Sequence, residues 1–381
     1  MHKSEFSNPS GRLENNRDGE MTFVPALLPP EIDPAPIAGL IAEAHMRLGV
    51  LEGLGKIAPN PDMLIGQYLT QEAVSSSGIE GTEATSLDVY RFEVGGGADP
   101  NGTKRVQEVV NYINASRHCL GLITGGDQVD LKMIKRAHAI LLTDVRGQDK
   151  NPGKIRKTQN WIGYANRSIR NELYVPPATH RLDGLLANFE KFIVDPPERM
   201  PILIRCAVAH YQFEAIHPFG DGNGRVGRLL IPMILASSGA LSKPLLYLSS
   251  YFEQNRTEYY ELLREVSKNS RWLEWVSFFL TGVIQSSNEA IDVTHKLLDL
   301  KSKYEQLLRE NRASRNAMVL ADYVFAMPVV TIPVVAQYLK TGYPPAKKAV
   351  TYLVDAGILE LAGAKKRNKE YVAREIVDVF S

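Results

Sequence analysis

The sequence predicts a mainly α protein with one short β-hairpin set into it and a tail of different make-up. Three observations carry that prediction. Apolar residues recur at spacings of three and four along most of the stretch from 37 to 312, as one face of a helix requires. Residues 149–180 break this rhythm with Gly, Asn, Pro and scattered β-formers, the composition of a long loop or hairpin. From about residue 326 the order changes to helix, helix and two strands around a basic turn.

Taken in order, residues 1–22 lack the apolar run of a signal peptide and are expected to be disordered. An N-terminal helical region, 23–100, opens on the Pro-rich "VPALLPPEIDPAP" and continues through Ile37, Leu40, Ile41 and Ala44, then Met63, Leu64, Tyr68 and Leu69. The segment "VGGGADPNGT" reads as a loop. A central core, 101–285, holds helical patterns over 103–145 and again from Leu182. A linker helix, 286–325, follows, with Ile291, Leu297, Leu300, Tyr304 and Leu307 on one face. Two heptads are too few for a coiled coil, so this face fits either a neighbour in the chain or a homodimer partner. In the tail, 326–381, Thr331 caps a short helix through Leu339, "GYPP" starts a second helix to Ala356, and Gly357 stops it. With the hairpin in "ILELAGAKKRNKEYV" this is the outline of a winged-helix module.

Lys plus Arg number 44 against 43 for Asp plus Glu, so no global field draws the protein to nucleic acid or membrane and any basic site must be local. The apolar runs are too short or interrupted to span a bilayer. Cys119 and Cys206 lie far apart without metal-ligand spacing, and Cys206 sits in the apolar "LIRCAVAH", which predicts a buried thiol at Cys206; a cytoplasmic, reducing location fits best.

Chemistry concentrates in "IHPFGDGNGRVGRLL", residues 216–230. Four glycines in so short a run are costly unless the backbone turns or approaches something closely. They precede an apolar helical run starting near Arg225. A Gly-rich loop feeding a helix N-terminus offers unpaired N–H groups and the positive end of the helix dipole, an anion site. Arg225 and Arg228, at i and i+3, share a face of the first turn, where cations oppose the dipole unless an anion lies between them. A polyphosphate suits two guanidiniums and a backbone nest. Asp221 at the lip would repel phosphate without a divalent cation, and Mg²⁺ commonly takes one or two carboxylates plus substrate phosphates. His217 has no anion-binding duty and the pKa range of a general base. An EF-hand fails because Pro232 stands where the bidentate Glu belongs, and a Walker A loop lacks its Gly-Lys-Ser/Thr. "GDGNG" alone would also serve a plain helix–loop–helix turn.

"HPFGDGNGRVGR" resembles the signature of the Fic family (filamentation induced by cAMP), His-x-Phe-x-Asp/Glu-Gly-Asn-Gly-Arg-x-x-Arg, at every defined position. The resemblance implies a Fic-type helical core and transfer of AMP from ATP to a Ser, Thr or Tyr hydroxyl of a target protein. His217 would be the base, Asp221 the Mg²⁺ ligand, and Phe219 an apolar anchor. Gly222, Asn223, Gly224, Arg225, Val226, Gly227 and Arg228 would hold the nucleotide. "KTQNWIGYANRSIRNELYVPPATHRL" is similar to the family's flap, here 154–177, which aligns a target segment as an added strand; its Gln159, Asn160 and Trp161 would otherwise close a loop over the core. Tyr259 and Tyr260 in "YFEQNRTEYYELL" are candidate purine walls, though such pairs also build cores.

In "SSSGIEGTEA", Ser76 and Glu80 stand at i and i+4 near the end of the helix from about Pro61, with Gly81 placed to stop it. A glutamate at a helix C-terminus opposes the dipole, which a cationic partner would rationalise, although read alone the position better fits a solvated surface glutamate. Ser-x-x-x-Glu-Gly resembles the family's inhibitory motif, which implies that Glu80 pairs with Arg228 in the space of the γ-phosphate. Two other functions remain open: removal of AMP from a modified protein, and a DNA-binding regulator that senses nucleotide. Lys347, Lys348, Lys365, Lys366 and Arg367 would serve DNA phosphates or a protein contact equally, since the tail's excess of basic residues is mild.

Overall fold

The computed structural model describes residues 6, 8–57, 61–95, 100–163, 174–362 and 369–380. Two strands, β1 (Gly11–Asn15) and β2 (Met21–Pro25), precede eleven helices: α1 (Ala38–Ile57), α2 (Pro61–Ile79), α3 (Ser86–Glu93), α4 (Pro100–Thr124), α5 (Leu131–Leu141), α6 (Leu182–Val194), α7 (Ile202–Ile216), α8 (Asn223–Ser237), α9 (Leu248–Gln254), α10 (Arg256–Asn269) and α11 (Trp272–Glu310). The tail comprises α12 (Arg315–Ala326), β3 (Val329–Thr331), α13 (Ile332–Tyr338), α14 (Tyr343–Asp355), β4 (Glu360–Ala362), β5 (Glu370–Val372) and α15 (Arg374–Asp378). The protein is mainly α, as its apolar periodicity predicts.

Residues expected to be disordered at the start instead form a hairpin from Gly11. β1 and β2 pair antiparallel, with Leu13 opposite Phe23. Asn16 closes the turn, its Oδ1 accepting the N–H groups of Asp18 and Glu20. So short a ribbon is marginal alone. It is held because Phe23 is fully buried and donates its N–H to Val175 O at 2.9 Å, within the segment expected to form the flap.

The core is built around α8, which contacts α7, α4, α5 and α2. Helix α11 has 39 residues and so runs about 58 Å, with α1 packed along it. Helix α11 runs unbroken across the expected boundary at 285/286; the helical run ends at 311–314, where Arg312 adopts φ 50° and Ser314 caps α12. The apolar stripe is answered within the chain: Leu297 and Tyr304 are buried, and α1 and α12 both pack on α11. Both cysteines are free and buried.

In the tail, β5 lies between β3 and β4, all antiparallel. Thr331 precedes α13 but its side chain makes no capping bond, and Gly357 has φ +74° where α14 stops. Gln67 of α2 donates to Phe325 O at 2.9 Å, and Tyr304 to Glu375 at 2.9 Å, which seats the tail on the helical body. Lys347 and Lys348 are exposed on α14, while Lys365, Lys366 and Arg367 fall outside the described residues. No helix among the described residues is long and apolar enough to cross a membrane.

Candidate active site

Helix α7 ends at His217, whose backbone turns into the left-handed region (φ 49°, ψ 61°) while its N–H still bonds Phe213 O at 2.9 Å. A non-glycine there costs on the order of 1–2 kcal/mol, and such strain gathers at functional sites. Nδ1 lies 3.2 Å from Glu214 O, a carbonyl that accepts only, so Nδ1 carries the proton and Nε2 is left with its lone pair. Burial, helped by the nearby Arg156 charge, pushes the imidazole pKa down to about 4. His217 is therefore neutral and basic at pH 7.

Beyond it, Phe219 is fully buried. Asn223 locks the loop, its Oδ1 accepting Phe219 N–H (2.8 Å) and its Nδ2 donating to Phe219 O (2.9 Å). The Asn223 side chain is thus committed to the loop, and only its backbone faces a ligand. Gly222 caps α8 with φ +76° and no side-chain cap is present, so the first-turn N–H groups keep their anion-binding character.

An anion already lies there. A Cβ on Gly224 would meet Glu80 Oε1 at 2.2 Å, so the Glu80 carboxylate rests on the first turn of α8. Arg228 donates from Nε to Ser76 Oγ (2.9 Å) and from Nη2 to Ser76 O (2.8 Å) and Glu80 Oε1 (2.7 Å). Burial resists both charges, yet each holds the other ionised: Glu80 titrates below the usual carboxylate range and Arg228 above the usual arginine one. Glu80 stands just past α2, ended by Gly81 at φ +85°. Arg225 is buried too; its Nη1 lies 3.6 Å from Glu108, and its Nε and Nη1 find no hydrogen-bond acceptor among the described residues. Buried unspent donors of this kind suit an incoming anion.

Asp221 is half-buried at the lip. Its Oδ1 accepts Gly222 N–H, and it forms no ion pair among the described residues. A hard oxygen donor at a phosphate lip, unclaimed by a cation, fits Mg²⁺.

Three expected nucleotide contacts are not brought into this site. Val226 is buried and its N–H is spent on Gly222 O. Gly227 is required by packing, since a Cβ would meet Glu214 at 2.2 Å. Tyr259 is 1% exposed, bonded through its hydroxyl to His210 Nε2 at 2.8 Å, with its ring 4.7 Å from Phe252. It is a core aromatic. Tyr260 is half-buried beside it, with the Arg256 guanidinium 5.9 Å from its ring.

The sequence singles out Asn160 but not Arg156, Tyr174 or Glu214. Arg156 donates Nε to His217 O and its N–H to Pro218 O, both at 2.9 Å, and reaches Pro177 O. Asn160 donates to Phe219 O at 3.0 Å and Tyr174 to Ala215 O at 2.9 Å. These bonds anchor the base of the expected flap, where Ile162 and Tyr174 form an antiparallel bridge; residues 164–173 are outside the described set. Glu214 approaches His217 Nδ1 to 3.9 Å, and burial pushes its carboxyl up to about 8.

Comparison with known proteins bears on the family. The Fic/DOC family N-terminal model matches residues 38–121 and the Fic/DOC family model residues 128–235, together just over half the chain. A protein adenylyltransferase Fic of Culex quinquefasciatus is 28% identical over 202 residues, covering 51% of this chain and 36% of that protein. A probable protein adenylyltransferase of Aquifex aeolicus is 33% identical over 111 residues, covering 25% and 32%. The chain thus spans about a third of the length of these relatives. Among solved structures, a Fic family protein from Desulfovibrio desulfuricans G20 superposes with a TM-score of 0.57 at 20% identity, over 91% of this chain and 98% of that one. Fic-1 of C. elegans gives 0.52 at 20% identity over 68% and 73%. With its motif loop, its helix-borne arginines and its two matching models, the chain belongs to the Fic/DOC family.

Proposed function

We propose that the protein is an ATP-dependent adenylyltransferase acting on a hydroxyl of a target protein, and that Glu80 restrains it. The observation that carries the reading is a neutral His217 beside a helix N-terminus already holding one carboxylate. His217 Nε2 takes the hydroxyl proton, the oxygen attacks the α-phosphorus, and the bond to the β-phosphate oxygen breaks, releasing pyrophosphate. The first-turn amides of α8, Arg225 and Arg228 bind the phosphates; Tyr260 borders the base. Asp221 would hold Mg²⁺, which when bound neutralises phosphate charge. The target segment docks as an added strand on the flap, 154–177. The two free, buried cysteines fit a reducing, cytoplasmic setting.

The direct test is mass spectrometry of lysate proteins incubated with the protein, ATP and Mg²⁺. AMP adducts on hydroxyl side chains support the reading, and their absence with the Glu80→Gly variant also present counts against it. Asp221→Ala should weaken Mg²⁺-dependent ATP binding by more than the roughly 10–100-fold that outer-sphere partners of a metal command. Calorimetry giving equal affinities with Mg²⁺ for both proteins would remove the metal role.

Acid behaviour follows from His217. An ordinary histidine loses its base form below about 6.5; here the base form persists down to about 4. Single-turnover transfer should stay level from pH 8 to about pH 5 and fall only as pH drops through the folded-state pKa. An acid limb centred at 6.5, on protein still folded by circular dichroism, contradicts the depressed pKa while remaining compatible with a histidine base.

A further inference from the structure

Helix α5 turns a buried face of Met133, Ile134, Ala137, His138 and Leu141 to the core, and one member of that face is polar. His138 is fully buried. Its Nδ1 accepts the Gly153 N–H at 2.8 Å, and its Nε2 lies 2.9 Å from Asp221 O. Because a backbone N–H only donates and a carbonyl only accepts, the tautomer is fixed: Nδ1 bare, Nε2 protonated. The ring is stacked on Phe219 with centroids 3.8 Å apart and planes 5° from parallel. It also backs Gly222, where a Cβ would lie 3.6 Å from His138 Cδ2. One imidazole therefore touches Phe219, Asp221 and Gly222 of the motif loop and ties them to Gly153, whose backbone has φ +77°. Three residues beyond Gly153, Arg156 holds the His217 and Pro218 carbonyls.

We propose that His138 is a positioning residue that holds the Asp221 peptide, and with it the Asp221 carboxylate, in the orientation that takes Mg²⁺ with the nucleotide, and links that lip to the loop at the base of the flap. The inference rests on the Mg²⁺–nucleotide reading above. A flat side chain that donates along one edge and accepts along the other is what the place demands, and neutral imidazole supplies both. Outer partners of this kind orient a metal ligand without touching the metal, and their loss typically costs roughly 10–100-fold in metal affinity. Gly147 lies beside the Asp221 carboxylate, since a Cβ there would lie 2.7 Å from Asp221 Oδ2, and Oδ1 accepts the Gly222 N–H; both neighbours restrict the carboxylate.

The test uses the full-length protein and three substitutions. His138→Phe keeps the ring on Phe219 and removes both hydrogen bonds. His138→Gln returns a donor near the Nε2 position, toward Asp221. His138→Asn returns only an acceptor near the Nδ1 position, toward Gly153. ATP affinity is measured by calorimetry with Mg²⁺ and with EDTA, and the ratio of the two is the Mg²⁺ increment; Tm is recorded beside it. The expected result is an increment reduced about tenfold or more in His138→Phe, with affinity in EDTA little changed, recovered substantially by His138→Gln and not by His138→Asn. Should His138→Phe fail to fold, the comparison of Gln with Asn decides alone. A parent-like increment in His138→Phe, a parallel loss with and without Mg²⁺, or equal increments in Gln and Asn overturns the proposal and leaves His138 a core residue. A parent protein that binds ATP equally with Mg²⁺ and with EDTA overturns both this inference and the reading beneath it.

Discussion

Replacing His217 with Ala should lower AMP transfer by at least a hundredfold and by as much as about ten-thousandfold, the range that a positioned general base contributes. The geometry makes this loss specific. Nδ1 is engaged with Glu214 O, so Nε2 is the one ring nitrogen left to receive a proton, and the depressed pKa keeps it bare at neutral pH. The proposed phosphate site, in contrast, is α8 with Arg225 and Arg228, none of which shows a bond from the imidazole among the described residues. A group that acts only in the transition state leaves ground-state binding nearly intact, so ATP affinity should stay within about twofold. Labelled-AMP transfer and calorimetry on one preparation check both halves. Transfer at the parent rate would show that another group takes the proton, and Glu214, 3.9 Å from Nδ1, would be the first to examine.

Much of this site was legible in the sequence because it obeys local rules. The glycines before an apolar run announced a helix N-terminus, and α8 begins at Asn223 behind a left-handed Gly222. Glu80 at the end of a helix, read alone, also suited a solvated surface; it was the resemblance of Ser-x-x-x-Glu-Gly that pointed to Arg228, which lies 2.7 Å away. What stayed hidden depends on tertiary approach. His138 and Arg156 bond to backbone carbonyls of a loop far along the chain, and a carbonyl has no signature in sequence. The one available sign for His138 was a polar residue on an otherwise apolar helical face. Tyr259 and Tyr260 are neighbours of like composition, and periodicity did not tell which would enter the aromatic cluster around Trp275. The initial hairpin was invisible for a similar reason: five-residue strands carry little pattern, and Phe23 is fixed by Val175, over 150 positions away.

Glu80→Gly should raise AMP transfer roughly ten- to hundredfold. The magnitude follows from the contact removed. A charge-assisted Arg–carboxylate hydrogen bond in a partly buried site biases two arrangements by about 1.5–3 kcal/mol, equivalent to roughly ten- to hundredfold in rate if the blocked arrangement is the ground state. Glu80 takes the Nη2 donor of Arg228 and the space over Gly224, both of which the proposed terminal-phosphate site requires. Its carboxylate is ionised at neutral pH because Arg228 holds it so against burial, and the proposed block therefore needs no special conditions. Removing the side chain should not strand Arg228, which keeps Ser76 Oγ and the Ser76 carbonyl and has the buried Glu72 carboxyl in its field. The variant should thus fold. Substitution by Gly takes away charge and bulk together, whereas Glu80→Gln leaves the bulk and should release less activity. Transfer is read with α-labelled ATP onto the protein itself or a lysate protein, and the gain should vanish in the Glu80→Gly, His217→Ala double variant, which ties it to the same base. A Glu80→Gly protein that is folded and binds ATP, yet transfers AMP no faster than the parent, would falsify the restraint. Lost activity toward an AMP-modified protein would instead assign Glu80 to the reverse reaction, orienting a water for removal of AMP.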